Sequence, residues 1–354
     1  MATAERLESN SWWPTKGTAP LETFVGTAQC ARCHPKITAA QLATPMAQAA
    51  SSAKDSSVLR QHAGISRQMG RYVYTISSSD SGNNYSASDG VATLSQPLAW
   101  AFGLGTKGQT YVYKHDGLYY ESRMSFYQSL QGLDLTTGHS NTTPHNLEDA
   151  LGRALDASTV THCFGCHTTA STTLAGFDPT RLTMGVSCEG CHGPGAMHVE
   201  LMDDGNIEAG RAAIFNPARL DPVALVDFCG ACHRTTNDVY EMGATGVSNV
   251  RFQPYRLENS KCWGDGDARL ACTACHDPHQ PVVRDAGTYD GKCLACHAPS
   301  AAMKVTLERP GRACPVARKD CATCHMPRVQ VPSMHAPFVD HRIRIVRANA
   351  KYPD

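Results

Sequence analysis

The chain has 354 residues with 16 Cys and 16 His, and its 32 basic residues balance 32 acidic ones. A neutral chain offers no electrostatic attraction to nucleic acid or to an anionic membrane surface, and no run approaches the roughly 18 uncharged apolar residues that a transmembrane segment needs. So much Cys and His must be bound to something else.

The opening residues, Met1 to Glu8, lack the basic and apolar stretches of an export signal. Cys30-Ala31-Arg32-Cys33-His34 follows, and then comes a long segment, from about residue 35 to residue 161, without another C-x-x-C-H. This segment reads as a β-rich insert. Within it Arg71 to Ile76 alternates, placing Tyr72, Tyr74 and Ile76 on one face as a half-buried strand requires. The stretch from Ser77 to Gly90, rich in Ser, Asn, Asp and Gly, reads as a surface loop. From Tyr111 to Tyr120, β-formers flank Asp116-Gly117, a pair that tolerates the positive φ angles of a tight hairpin.

Six further motifs crowd the rest of the chain. They are Cys163 and Cys166 with His167, Cys188 and Cys191 with His192, Cys229 and Cys232 with His233, Cys272 and Cys275 with His276, Cys293 and Cys296 with His297, and Cys321 and Cys324 with His325. Here Gly193-Pro194-Gly195 and Asp277-Pro278-His279 interrupt any long amphipathic period. Short helices are expected after several motifs, with extended loops elsewhere. The expected division is residues 1–160, with one motif and the insert, and residues 161–354, with six.

C-x-x-C-H is the attachment motif of c-type haem, in which both thiols form thioethers to the vinyl groups and the adjacent His becomes the proximal iron ligand. Zinc would need the Cys pairs to meet two by two, which seven pairs cannot do, and gives no reason for a His after every second Cys. A thioredoxin-like dithiol occurs once in a βαβ setting, not seven times among loops. The sequence therefore implies seven haem c groups held by the fourteen motif cysteines, Cys30 and Cys33 included, with His34 and the six other motif histidines on iron. Each haem supplies a large apolar face, so a chain with little regular structure can still bury enough surface to fold. The expected fold class is a multihaem cytochrome c, with short α-helices and loops wrapped round stacked haems and a small β-rich N-terminal insert. Haem attachment and stable disulfides belong outside the bacterial inner membrane, so a periplasmic, cell-surface or extracellular location and a leader on the precursor are expected.

The phrases Gly185 to His198, Cys272 to His279 and Cys321 to Pro327 resemble the multihaem superfamily that contains tetrahaem electron carriers of nitrifying bacteria, pentahaem nitrite reductases and hydroxylamine oxidoreductases. The likeness runs from about residue 24 to residue 347. It implies distal iron ligands: His198 and His279 by their places after motifs, and His341 by its place after the last motif. His335, His162 and His62 are further candidates, while His145 could equally start a helix, His139 is weaker and His115 is spent on the hairpin. For any one of these, a surface or core His with a satisfied hydrogen bond is the competing reading. Related carriers place a His where this chain has Met46, which is then either an axial thioether or core filler.

Cys262 and Cys314 lie outside every motif. They read as a candidate disulfide, with two thiols as the alternative. The nitrite reductases that the chain resembles commonly carry a Lys in place of the motif His at the catalytic haem, and no C-x-x-C-K is present; the resemblance thus implies an electron carrier with six-coordinate irons over an oxidoreductase acting on small nitrogen or sulfur oxyanions. The expected partners are redox proteins or further copies of the chain, with no nucleic acid. Motifs near both ends, at Cys30 and Cys321, are compatible with head-to-tail filaments.

Overall fold

The computed structural model describes residues 13–15, 19–80, 82–264, 267, 270–297, 312–347, 349 and 351–353. Contacts among them fall into two units, one of residues 13–215 with 331–336 and the other of residues 216–330 with 337–353.

The first unit is built on ten antiparallel strands: β1 (Ala50–Ser52), β2 (Ile65–Met69), β3 (Tyr72–Ser79), β4 (Gly82–Ser88), β5 (Thr93–Phe102), β6 (Gly108–His115), β7 (Leu118–Ser122), β8 (Met124–Tyr127), β9 (Gly132–Leu135) and β10 (Gly152–Leu155). The order is β10-β7-β6-β5-β4-β3-β2, with β1 on β5 and β8 joining β6 to β9. As the alternation required, Tyr72, Tyr74 and Ile76 all point inward, and they pack with Tyr85, Tyr111, Tyr113 and Phe126. Burying one such side chain contributes about 1.5–3 kcal/mol, so this cluster is a main source of the sheet's stability. Asp116 and Gly117 take φ of +48° and +80°, the left-handed pair that a two-residue hairpin between β6 and β7 requires.

The surface loop expected from Ser77 to Gly90 is instead the end of β3 and all of β4, paired in register with Ile76 opposite Tyr85 and Tyr74 opposite Ala87. Its small polar residues alternate with Asn83, Tyr85 and Ala87, which are buried. Burial of that inner face outweighs the turn-forming tendency of Ser and Asn.

The opposite face of the sheet is covered too. The helix Ala157–His167, which carries the second motif, inserts Phe164 against Trp100, Phe102 and Phe177, with ring centroids 5.2, 5.1 and 3.9 Å away.

In the second unit the helix Pro222–His233 starts on an Asp221 cap, whose carboxylate accepts the Ala224 N–H at 2.9 Å, with Pro222 in its first turn. It buries Val226 against Leu257 and Trp263, with Leu270, Cys272 and Ile343 around them. The Arg256 and Asp340 side chains are both fully buried in this unit and joined by two hydrogen bonds of 2.9 and 3.0 Å.

Short helices follow several motifs as expected, Pro35–Leu42 after the first, Ala196–Asp203 after the third and Thr236–Glu241 after the fourth, and in addition the cysteines of every motif lie on a short helix. The motif helices are Thr27–Cys33, Ala157–His167, Cys188–His192, Pro222–His233, Cys272–Cys275, Asp290–His297 and Cys321–His325. Helical geometry explains this: residues three and four apart share a face, so the second Cys and the His both stand beside the first Cys.

Candidate haem-binding sites

Two imidazole pairs are assembled from distant parts of the chain. His34, of the first motif, faces His198 with ring centroids 6.5 Å apart and planes 17° from parallel. His276, of the fifth, faces His341 at 6.2 Å and 46°. Two imidazoles sharing one metal, with bonds of about 2.0–2.1 Å, have centroids roughly 6–6.5 Å apart, so both spacings suit an iron between them.

Second bonds orient these rings. The Nδ1 of His198 lies 2.7 Å from the Gly210 carbonyl and that of His341 lies 3.1 Å from the Val339 carbonyl. Motif histidines do the same: His167 to Ala49 at 2.9 Å, His192 to Phe215 at 2.8 Å, His297 to Arg312 at 2.8 Å and His325 to Arg344 at 2.9 Å. A carbonyl can only accept, so Nδ1 carries the proton in each and the lone pair lies on Nε2, the tautomer that binds metal through Nε2. Burial pushes the His276 pKa down, and burial with the neighbouring His276 and His233 charges pushes His341 down to about 4. Both rings are thus neutral near pH 7, as ligands must be.

The motif helices come together in couples. The Cys30 and Cys188 thiols are neighbours, and their interaction lowers the Cys188 pKa to about 7. Cys272 neighbours Cys229 in the same way, and Cys293 neighbours Cys321. In each couple the contact joins the first cysteines of two motifs: first with third, fourth with fifth, sixth with seventh. The second motif lies against the sheet, where the rings of His167 and Phe102 meet edge to face at 5.3 Å.

The second cysteine of every motif follows the first by three residues on the same short helix. Cys166, Cys191, Cys232 and Cys296 are half-buried there, whereas Cys33, Cys275 and Cys324 are exposed. No disulfide uses any of the fourteen motif cysteines. Cys166 in the second motif and Cys232 in the fourth, like the other twelve, therefore keep the sulfur that a thioether to haem needs.

Two couples are tied further by carboxylates. Asp290 accepts the N–H groups of Asp320 and Cys321 at 2.7 and 2.8 Å, and Glu189 accepts those of Val25 and Gly26 at 2.8 and 2.9 Å. The sequence reading passed over both, because an acidic residue inside or beside a motif looks there like a spacer.

The other candidate ligands sit differently. The Nε2 of His335 lies 3.2 Å from the Asp134 carboxylate, and its ring meets Tyr127 edge-on at 4.7 Å. His62 directs Nδ1 to the Val58 carbonyl and Nε2 to Gln131, with its ring on Phe126. His279 turns Nδ1 to Asp277 at 3.2 Å, and His162 is exposed on the helix of the second motif. Met46 is half-buried in a turn whose carbonyl accepts the Val186 N–H just before the third motif. His139 is buried against Glu121 at 3.0 Å.

The Cys262–Cys314 bridge anticipated from the sequence is not formed in the structure. Cys262 neighbours Cys296, whereas the Cys314 sulfur accepts hydrogen bonds from the backbone of Ala317 and Val316. Those bonds lower the Cys314 pKa, while burial raises that of Cys262. Both should alkylate without reductant, Cys314 first because more of it is thiolate. Peptide mapping after a short pulse of iodoacetamide checks this, and protection of both would restore the bridge.

Comparison with known proteins agrees with this chemistry. The family described as cytochrome c554 and c-prime matches residues 123–193, a stretch that holds the second and third motifs. The fold is similar to that in the crystal structure of outer cell wall cytochrome OcwA, with a TM-score of 0.53 and 13% identity over 92% of this chain and 80% of that one. No curated protein sequence matches. The seven C-x-x-C-H motifs and these likenesses support a multihaem c-type cytochrome, a class whose cofactor is covalently bound haem c. Among the described residues, no helix is long and apolar enough to cross a membrane.

Proposed function

We propose that the chain carries electrons along seven covalently bound haems outside the cytoplasm, with irons closed to substrate. The observation that carries this reading is the coupling of motif helices through the first cysteines of six motifs. Haems attached at such neighbouring sulfurs would be held close to one another, as electron transfer between them needs. His34 with His198, and His276 with His341, would each hold an iron from both sides. Two strong axial ligands leave no position for a substrate, which is the property of a carrier and not of an oxyanion reductase. Cys33 and Cys324, in the first and last motifs, are exposed, which suits exchange with redox proteins or with further copies in a filament.

The test has two parts. Mass spectrometry of the denatured protein should find seven haem additions, and five or fewer would refute full occupancy. The reduced protein should leave its Soret band unchanged under carbon monoxide; one equivalent bound would reveal an open iron and favour an enzyme.

A further inference from the structure

Glu189 sits between the two cysteines of the third motif, yet its bonds lead elsewhere. It is only 3% exposed. Its Oε1 accepts the N–H groups of Val25 at 2.8 Å and Gly195 at 2.9 Å, and its Oε2 that of Gly26 at 2.9 Å. Gly26 is the cap of the helix Thr27–Cys33, which leads to His34, and Gly195 is the cap of the helix Ala196–Asp203, which carries His198 in its first turn. Neither cap residue supplies a side-chain acceptor of its own. The orphan N–H groups at a helix start need one, and here a single carboxylate serves both starts. The fit is close: a Cβ on Gly195 would stand 3.3 Å from Glu189 Oε1 and 3.0 Å from Val25 Cγ2.

We propose that Glu189 is a positioning residue for the iron of the first motif, setting from within the third motif the two helices that present His34 and His198. The proposal rests on the reading of His198 as that iron's distal ligand. It also makes the first and third motifs one unit: their helices share a thiol contact at Cys30 and Cys188 and this carboxylate. Asp290, which caps the seventh-motif helix from the start of the sixth, repeats half of the device.

Glu189→Gln keeps the shape but turns an amide NH2 toward a backbone N–H, breaking the clamp on one side. With the haem count first checked by mass, the reduced variant should bind up to one carbon monoxide per chain more than the parent. A high-spin ferric signal should appear by electron paramagnetic resonance at the expense of one low-spin iron. His198→Ala should bind one as well, and the double variant one and not two, because both changes open the same iron. If Glu189→Gln binds none while His198→Ala binds one, the positioning role falls and the ligand reading stands. If neither binds, the ligand reading itself falls, and two equivalents in the double variant would put Glu189 at a different iron. Should Glu189→Gln not be recovered with its full haem complement, Gly195→Ala presses on the same clamp from outside the motif. It is expected to show partial binding at that iron, and no binding overturns the proposal.

Discussion

Replacing His198 or His341 by Ala is expected to convert one closed iron into one that binds carbon monoxide, and replacing both should open two. Each ring faces a motif histidine at a spacing that suits a shared metal, and each has its Nδ1 proton committed to a carbonyl. Under the ligation proposed above, removing either imidazole would take away the axial ligand that pairs with that motif histidine. The expected readout is a stoichiometric Soret shift in the reduced protein, with the corresponding loss of one low-spin ferric signal. His335→Ala is the control. Its Nε2 is engaged by Asp134 in a setting of Tyr127 and the β-sheet, so its removal should open nothing. Carbon monoxide binding by the His335 variant, and none by the other two, would exchange the assignments.

The contrast between these histidines marks where sequence reading stops. A C-x-x-C-H motif is complete within five residues, and helical geometry alone brings its Cys and His to one face, so the seven motifs were legible. A distal ligand is a meeting of segments far apart in the chain. Nothing local distinguishes His198 from His335, because the difference is that one ring meets His34 and the other a carboxylate. The sheet divides in the same way. Tyr72, Tyr74 and Ile76 were legible from their alternation, and Asp116-Gly117 from its turn chemistry. In β4, by contrast, Tyr85 and Ala87 were hidden among Ser and Asn until pairing with β3 buried them. The thiol couples and the Glu189 clamp depend on how motif helices pack, which spacing does not encode.

Substitution of Arg256 by Met is expected to lower the stability of the second unit by about 1.5–3 kcal/mol, the usual worth of hydrogen bonds to a charged group, because Asp340 keeps Arg344 as a partner. Arg256 is wholly enclosed. Its Nε and Nη2 donate to the two oxygens of Asp340, its Nη1 donates to the Pro353 carbonyl at 2.9 Å, and its guanidinium lies 4.7 Å from the Tyr352 ring centroid. Burial alone would raise the Asp340 pKa, but the bonds from Arg256 and the Arg342 N–H, with the charges of Arg256 and Arg344, hold it below the ordinary carboxylate range. The pair thus fixes the chain where it enters His341 and ties the C-terminal residues to the helix Gln253–Glu258. Asp340→Asn strands the opposite charge, so a loss of similar size is expected, and the double variant should lose less than the sum because the two groups share one interaction. Thermal unfolding of the haem-loaded protein checks this, with an expected fall in Tm of roughly 5–10 °C for each single variant. Single variants that melt with the parent would mean that the chain around His341 is held by other contacts, the bonds of Ser260 to the His341 carbonyl and the Ile343 N–H first among them.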